Sequence, residues 1–434
     1  MNYSFSPKSV GSKLNKSIFF KNIATLIGGT GLSQVLPFIV APIVARLYYP
    51  EDYALLASYT AITILFTIIS TGMYSHAIVI DKTDESAINT AGAAILITAG
   101  ITFIAILIIL FFKHSIEELI SNENILFWLF LVPFTIFFTG VYETLDMWNN
   151  RKKRFRRISG NKIFQTVITS GTTILLGFLG YHKSGLLISL IMGQAFAATL
   201  LFIQTLNEDK VLVKYLSISQ IKQSFVRHKD FPRYSMPQGF LDGIRNSSLV
   251  FIISNFYGAA ILGSYSFAMR LLQRPISVIG TSIGRVYYQK AAEDINKGKE
   301  IWGFTKKIMI SLVIFALPFV LTLFFFADDI FKLVFSERWL QAGEFTQILI
   351  FWLFITFISS SFTTIPLIFK KQKDFFYFGL FRNFLPIFVL ILCGIFSFIF
   401  IKTLWLFVLT NLLTSILILN WFILLAKNKI NSHQ

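Results

Sequence analysis

The stretch KDFPRYSMPQGFLDGIR, residues 229–245, divides the chain into two halves. It closes a charged segment and opens a long apolar run. Pro232 and Pro237 fall within the first turns of that run, with Gly239 and Gly243 just after them. Each proline removes a backbone donor and clashes with the preceding turn. The sequence therefore predicts a helix that is bent or broken where the second half begins.

The first half opens in a similar way. Glycines and prolines cluster there at Gly28, Gly29, Gly31, Pro37 and Pro42. No strand precedes the glycines and no Gly-Lys-Ser follows them, so they predict close helix packing or bending rather than a phosphate loop. Interrupted helices in matching positions of two halves are typical of the binding sites of membrane transporters.

The composition defines the class of protein. The 434 residues are 55% hydrophobic and 14% charged, with a mean hydropathy of +0.67. These values indicate an all-α polytopic membrane protein. The single cysteine, Cys393, lies in an apolar segment, and the five histidines show no ligand spacing. We therefore expect no disulfide, no metal site, no cofactor and no catalytic centre.

Twelve apolar segments are each long enough to cross the hydrocarbon of a bilayer as a helix. In the first half they are 18–46, 53–80, 86–112, 124–148, 157–180 and 185–206. In the second half they are 231–257, 262–288, 303–326, 344–369, 375–400 and 403–426. The sequence predicts a six-helix lobe over 1–206, an interlobe linker over 207–230 and a second six-helix lobe over 231–434.

Lysine and arginine set the predicted orientation. Alternate loops, counted from the amino terminus, carry 27 bases on one side against 6 on the other. Basic loops remain in the cytoplasm, so both termini and the linker are predicted to be cytoplasmic. The run RKKRFRR at 151–157 accordingly indicates topology and contact with anionic lipids rather than nucleic-acid binding.

A weak internal repeat links the halves. NRKKRF at 150–155 precedes KKQKDF at 370–375 by 220 residues, and this offset aligns Lys162 with Arg382. Six helices per half give both halves the same orientation, which predicts lobes related by a pseudo-two-fold axis along the membrane normal. The linker is predicted to form a short helix on the cytoplasmic surface.

Charged residues inside the predicted helices are the candidate site residues. The bases are Lys162, Arg245, Arg270, Arg274, Arg285 and Arg382. The acids are Glu143, Asp146 and Asp242. An arginine at the centre of a membrane helix costs about 2.5–3.5 kcal/mol on insertion scales. These groups must therefore face a partner or a hydrated cavity.

Two interpretations of these charges compete. The first is structural, with Asp242 pairing with Arg245 and an acid at 143 or 146 pairing with Lys162. Together with snorkelling, it is favoured for the bases nearer the cytoplasmic face, Lys162, Arg285 and Arg382. The second is functional and is favoured for the remaining three arginines, because one aspartate cannot neutralise them all. A cationic cavity suits an anionic substrate, and guanidinium groups bind phosphate in a bidentate manner.

Several stretches resemble those of the O-antigen (Wzx-type) flippases, which belong to the multidrug/oligosaccharidyl-lipid/polysaccharide exporter superfamily. They are NIATLIGGTGLSQVLPFIVAPIVARLYYPEDYALLASY at 22–59, NNRKKRFRRISGNKIFQ at 149–165, DFPRYSMPQG at 230–239, YGAAILGSYSFAMRLLQRPISVIG at 257–280 and FSERWLQAG at 335–343. The resemblance spans nearly the whole chain. One departure stands out, because relatives often carry Gly-Arg-Tyr-Glu where this chain has Gly72-Met73-Tyr74-Ser75.

The resemblance implies a MATE-like fold and a flippase that is not an enzyme. Its cargo would be an undecaprenyl-diphosphate-linked oligosaccharide, such as an O-antigen or capsule repeat unit. Transport would run across the bacterial inner membrane by alternating access, with H⁺ or Na⁺ as a coupling ion and polysaccharide polymerase machinery as a partner. Two other classes stay open. A cation-coupled drug exporter would favour acids over bases in its cavity. A membrane polymerase would need a large external loop, and the longest predicted one is 327–343.

The resulting site prediction has two parts. Bases for the substrate's phosphates are Arg245, Arg270, Arg274, Lys162 and Arg382. Acids for ion coupling are Asp242, Glu143 and Asp146.

Overall fold

A computed structural model describes residue 31 and residues 33–119, 125–369 and 371–427. Several sequence predictions lie outside these residues, including Gly28, Gly29, Lys370 and both chain ends. The side chain of Arg285 is also outside the described part.

The described chain is almost entirely helical. Its first half contains α1 (Ser33–Leu47), α2 (Pro50–Ser70), α3 (Tyr74–Ala77), α4 (Asp84–Leu119), α5 (Ile125–Leu129), α6 (Val132–Arg151), α7 (Phe155–Phe178) and α8 (His182–Asp209). A 3-10 turn (Leu212–Tyr215) and α9 (Ile218–Arg227) form the connection between halves. The second half contains α10 (Met236–Tyr257), α11 (Ala259–Asn296), α12 (Trp302–Phe335), α13 (Leu340–Ser360), α14 (Ile365–Ile368), α15 (Gln372–Ile395) and α16 (Phe400–Lys427).

Eight stretches of the described chain are long and apolar enough to cross a membrane. They are Pro50–Ser70, Asp84–Phe112, Phe127–Arg151, His182–Asp209, Trp302–Phe335, Glu337–Ile368, Gln372–Ile395 and Phe400–Lys427. The predicted all-α polytopic membrane fold is confirmed, and the count of twelve spans stays a prediction. Three further helices, α7, α10 and α11, have 24, 22 and 38 residues. They carry Lys162 and the three arginines of the predicted phosphate site.

Two compact units divide the chain. The first comprises the segment ending at Leu47, Tyr59–Leu119 and most of the chain from there through Ile244. The second comprises Tyr48–Ser58 and the chain from Arg245 onward. The helix α2 therefore begins in the second unit and ends in the first. The lobe boundaries at 206 and 231 stay a prediction.

The backbone is irregular where the second half begins. Residues Phe231–Ser235 form a π-helical turn that contains Pro232, and α10 follows directly. The irregularity lies at Pro232, whereas α10 is helical through Pro237, so the bend or break predicted from the prolines stays a prediction. The described part of the first half differs, because α1 is helical through Pro37 and Pro42. Membrane helices tolerate proline where neighbouring groups satisfy the freed carbonyls.

The last two helices of each half have matching lengths. Both α7 and α15 contain 24 residues, and both α8 and α16 contain 28. Their first residues lie 217 and 218 positions apart, not 220. The difference arises because α7 begins at the Phe of NRKKRF, whereas α15 begins three residues before the Phe of KKQKDF. The bounds therefore align Arg382 with Gln165, and place Lys162 about one turn nearer the start of its helix.

The seam between α7 and α8 is polar. Gln165 donates to the Gln194 amide oxygen at 2.5 Å, and the Thr173 and Ser189 hydroxyls lie 2.7 Å apart. Between these pairs Gly193 allows close approach, since a β-carbon there would lie 1.9 Å from the Thr169 hydroxyl. Directional hydrogen bonds and small residues are the usual means of joining helices in lipid.

The seam between α15 and α16 is aromatic. The Phe375 and Trp421 rings stack with centroids 6.3 Å apart, and Phe378 contacts Trp421 at 5.0 Å. Phe422, at 1% exposure, contacts Phe375 at 5.8 Å and belongs to a larger buried apolar cluster. Two helix pairs of equal length are thus joined by different chemistry.

Candidate functional site

Three arginines are positioned by the α10–α11 hairpin of the second unit. Gly258, with φ of +86°, forms the turn between the two helices, a backbone geometry that favours glycine. Arg245 lies 13 residues before this turn and Arg270 lies 12 after it. At 1.5 Å of rise per residue, the two arginines lie about 20 Å and about 18 Å along their helices from the turn. The two arginines therefore lie at nearly equal distances along their helices from the turn.

Arg270 and Arg274 lie one turn apart on α11, and both side chains are partly buried. Residues four apart share a helix face. Both guanidinium groups interact electrostatically with the Tyr53 hydroxyl. Pro275 follows and lacks the N–H that would bond to the Leu271 carbonyl, so α11 is weakened beside the pair.

Tyr53 is buried among aromatic rings. Its ring makes edge contacts with Phe267 and Trp339, each with centroids 5.1 Å apart. The start of α2 approaches α11 very closely, since a β-carbon on Gly263 would lie 1.7 Å from the Pro50 carbonyl oxygen. The phenol hydroxyl and the two guanidinium groups are all hydrogen-bond donors, which suit an anion rather than a cation.

The other predicted bases differ in their surroundings. Arg245 is partly buried, and its charge acts on the buried Tyr265. Arg382 is partly buried on α15 of the same unit. Lys162 lies instead in the first unit, with its ammonium 5.6 Å from the centre of the Tyr142 ring. The structure thus associates Arg270 and Arg274 with one tyrosine and assigns Lys162 to another unit.

The predicted acids belong to the first unit. The Ser75 hydroxyl donates to Glu143 at 2.6 Å, and the His76 Nε2 lies 3.8 Å from the same carboxylate. Asp146 is partly buried one turn further along α6, where the charges of Lys162 and Glu143 act on it. Asp242 is exposed. Two of the three acids therefore lie in a mixed cluster that also contains a base.

Sequence analysis did not identify the partner of Glu143. Ser75 stands where relatives often carry glutamate, and the structure brings the Glu143 carboxylate from α6 to that same residue. The chain before Ser75 has two successive left-handed residues, Gly72 with φ of +56° and Met73 with φ of +61°. The serine at position 75, where relatives often carry glutamate, is the sequence feature that marks this site. Its partner Glu143 lies 68 residues away and could not be found from it.

A second feature that the sequence did not reveal is the buried carboxylate of Asp81, in the loop between α3 and α4. Asp81 is 7% exposed and accepts hydrogen bonds from Ser86 and Thr90 at 2.8 and 2.6 Å. His228 Nε2 lies 3.1 Å from Asp81, and Arg227 lies 3.3 Å from it. Burial alone would raise the pKa of Asp81, but these hydrogen bonds and charges lower it below its usual range. The end of the connection is thereby attached to the loop before α4.

The basic run at 151–157 makes ion pairs within the first unit. Arg151 donates to the Asp81 carbonyl at 2.6 Å and to Asp84 at 3.0 Å. Arg154 donates to Asp209 at 2.8 Å and Arg157 pairs with Glu208. The hydrogen bond from Arg154 to Asp209 raises the pKa of that guanidinium. Lys152 also pairs with Asp84. Four bases of the run thus make ion pairs within the protein, in addition to the topological role predicted for them.

The family of the chain is defined by sequence. A family model described as polysaccharide biosynthesis protein matches residues 43–344. The chain belongs to this family. No curated protein matches it significantly in sequence.

Two solved structures of similar fold are membrane transporters. The chain is similar to the lipid II flippase MurJ in an inward closed conformation, with a TM-score of 0.73 and 15% identity, covering 93% of this chain and 90% of MurJ. It is also similar to an inward-facing multidrug resistance MATE family transporter of the MOP superfamily, with a TM-score of 0.65 and 12% identity over 92% and 96% of the two chains. At this identity the likeness shows the fold alone, which this chain shares with MurJ and with the MATE transporter.

Proposed function

We propose that this protein is a flippase for a lipid-diphosphate-linked oligosaccharide. It would move an undecaprenyl-linked repeat unit of O-antigen or capsule from the cytoplasmic to the periplasmic leaflet of a bacterial inner membrane. The family supports a role in polysaccharide biosynthesis, and the fold supports transport rather than catalysis. Both termini would be cytoplasmic, as the charge bias of the loops predicts.

The observation that carries this proposal is the pairing of Arg270 and Arg274 beside Tyr53. Two guanidinium groups on one face of a helix offer several N–H donors in fixed planes, which match adjacent phosphates. Hydrogen bonds to charged oxygens are roughly twice as strong as neutral ones. Bringing the diphosphate to these arginines therefore compensates part of the cost of holding two like charges within the membrane.

The remaining candidate residues take secondary roles in this proposal. Arg245 would extend the phosphate site or contact acidic sugars, since it lies about as far along its helix from the hairpin turn as Arg270 does. Lys162 and Arg382 would contact the substrate at other stages of transport. Glu143 and Asp146 would carry a coupling H⁺ or Na⁺, and the exposed Asp242 is the weakest candidate for that role. The lipid tail would remain in the bilayer.

The test is replacement of Arg270 and Arg274, singly and together, in cells that lack the native gene. We expect the alanine variants to reach the membrane but to abolish surface polysaccharide, with lipid-linked sugar accumulating in the cytoplasmic leaflet. Lysine variants should retain partial function, because lysine keeps the charge but loses the planar fork. Lys402→Ala is the control, since Lys402 is an exposed base of the same unit. Normal export by the double alanine variant would contradict the proposal.

A cation-coupled exporter of small molecules is the second candidate. The acids of the first unit favour it, because Glu143 and Asp146 lie close enough to interact electrostatically. Export of cationic dyes separates the two functions. Under the flippase proposal, Glu143→Gln and Asp146→Asn reduce polysaccharide export and leave dye resistance unchanged. Loss of dye resistance with normal polysaccharide would instead support the exporter.

A further inference from the structure

The connection between the two halves is strongly basic. From Lys210 to Lys229 it contains five lysine or arginine residues and no acid. Its helix, α9, belongs to the first unit and packs one face against α4. Asn89 donates to the Tyr215 carbonyl and accepts from the Ser217 N–H, both at 2.9 Å. The orientation of the connection relative to the first unit is therefore fixed at its beginning.

The end of α9 is fixed as well. The Tyr74 hydroxyl donates to the Phe225 carbonyl at 3.1 Å, and His228 contacts Asp81. Close packing supports these bonds, because a β-carbon on Gly92 would lie 3.0 Å from Leu216 and 3.2 Å from Ile221. The helix cannot rotate about its axis without breaking these contacts.

A different face of α9 is left exposed and is partly apolar. Ile218, Lys222 and Val226 are spaced four residues apart and therefore form one stripe along the helix. Ile218 is 75% exposed and Val226 is 70% exposed, while Lys222 is also exposed. The preceding turn continues this character with exposed Val211, Lys214 and Tyr215. We call these six residues the linker stripe.

The position of the stripe indicates what covers it. The connection lies at the end of the first unit where Arg151 bonds to the Asp81 carbonyl, which is the end carrying the basic run. In a membrane protein, the basic end faces the cytoplasm and its anionic leaflet. Helices that lie in the interface between headgroups and acyl chains combine apolar side chains with lysine or arginine, as this stripe does.

We propose that the linker stripe docks on anionic phospholipid at the cytoplasmic surface of the membrane. Ile218 and Val226 enter the interface, and the lysines contact lipid phosphates. The contacts of the opposite face hold the first unit to the same helix, so lipid contact fixes the position of that unit relative to the membrane surface. This inference rests on the membrane fold and is independent of the identity of the cargo.

The experiment uses the purified full-length protein in nanodiscs. In a Cys393→Ala background, an environment-sensitive fluorophore is attached through Ile218→Cys, Val226→Cys, Gln220→Cys or Gln223→Cys. The glutamines are exposed but lie off the stripe, so they provide matched controls. Discs contain phosphatidylcholine alone, or phosphatidylcholine and phosphatidylglycerol in equal parts, and a nitroxide lipid serves as the quencher.

We expect quenching at positions 218 and 226 to exceed that at 220 and 223 by about two-fold or more in phosphatidylglycerol discs. The difference should shrink in phosphatidylcholine discs and at about 1 M salt, where the screening length falls to about 3 Å. Reversal of charge by Lys214→Glu and Lys222→Glu should reduce quenching at 226 to the level of the controls.

Three results would overturn the proposal. Equal, weak quenching at all four positions would mean that the stripe faces water. Quenching that ignores lipid charge, salt and lysine reversal would mean that the contact is not selective for anionic lipid. Shielding of positions 218 and 226 from a soluble thiol reagent in cells, without quenching in discs, would assign the stripe to a protein partner instead.

Discussion

The two units differ in the kinds of polar side chain that they bring together. In the first unit, acids and a base lie together, with Glu143, Asp146 and Lys162 close enough to interact, and hydrogen bonds join α7 to α8. In the second unit, arginines lie beside tyrosines, and aromatic rings join α15 to α16. Helices of equal length in the two halves have thus acquired different contacts.

The aromatic seam should be the more costly one to disturb. Replacing the buried Phe422 with alanine removes a ring that contacts Phe375, and we expect a loss of about 3–5 kcal/mol in stability. Unfolding in mixed micelles, followed by tryptophan fluorescence, measures this change. Phe376→Ala is the control, because Phe376 is 51% exposed and one residue from the contact. Equal effects of the two substitutions would mean that the seam does not stabilise the unit.

In the first unit, the Asp81 cluster should give the largest polar effect. Asp81→Asn weakens charged hydrogen bonds, with an expected cost of about 1.5–3 kcal/mol near pH 7. Because folding lowers the pKa of Asp81, its stabilising effect is present above the unfolded-state value of about 3.9 and is lost as pH falls through the folded-state value. The difference between wild type and variant should therefore shrink in acid. Asp230→Asn, at an exposed acid nearby, should leave the pH profile unchanged.

The polar seam can be tested by adding one methyl group. Gly193→Ala would place a β-carbon against Thr169, and overpacking of this kind costs about 1–3 kcal/mol. Gly171→Ala, at a glycine of α7 with open space around it, is the control. Adding Thr169→Ala to Gly193→Ala should recover part of the loss. A neutral Gly193→Ala would show that α7 and α8 can separate at no cost.

The smallest effect should come from a single hydrogen bond between these helices. Thr173→Val removes the bond to Ser189, and such bonds in membranes average about 0.6 kcal/mol. Thr172→Val is the matched control, because the Thr172 hydroxyl donates to the Ile168 carbonyl of its own helix. A double cycle with Ser189→Ala isolates the pair. A coupling energy near zero would remove this bond from the description of the seam.

The sequence predicted the fold class because hydropathy in membrane helices reports directly on the surrounding lipid. It also predicted a bend or break near Pro232, where the backbone is irregular, since proline acts locally. The repeat itself stays a prediction. Its offset came from similarity in the loops before α7 and α15, and the helix bounds shift it by two or three residues, which separates Lys162 from Arg382 by about one turn.

Long-range pairing was the part that the sequence could not provide. Glu143 and Ser75 are 68 residues apart, and Asp81 and His228 are 147 apart, so no local pattern links them. Arg270 and Arg274 could be selected from spacing alone. The nearby Tyr53 could not, because its position depends on the packing of Pro50 against Gly263.

The attachment of the connection has a consequence for biosynthesis. The segment from Tyr215 to His228 contacts Tyr74, Asp81 and Asn89. All of these residues precede Lys229 in the chain. Because a ribosome makes the chain from its amino terminus, these contacts can form before the second half has been synthesised. The linker stripe would then be held in place on the first unit, facing the membrane, before the ribosome has completed α10. Co-expressed fragments divided after Lys229 should therefore reassemble more readily than fragments divided before Leu212.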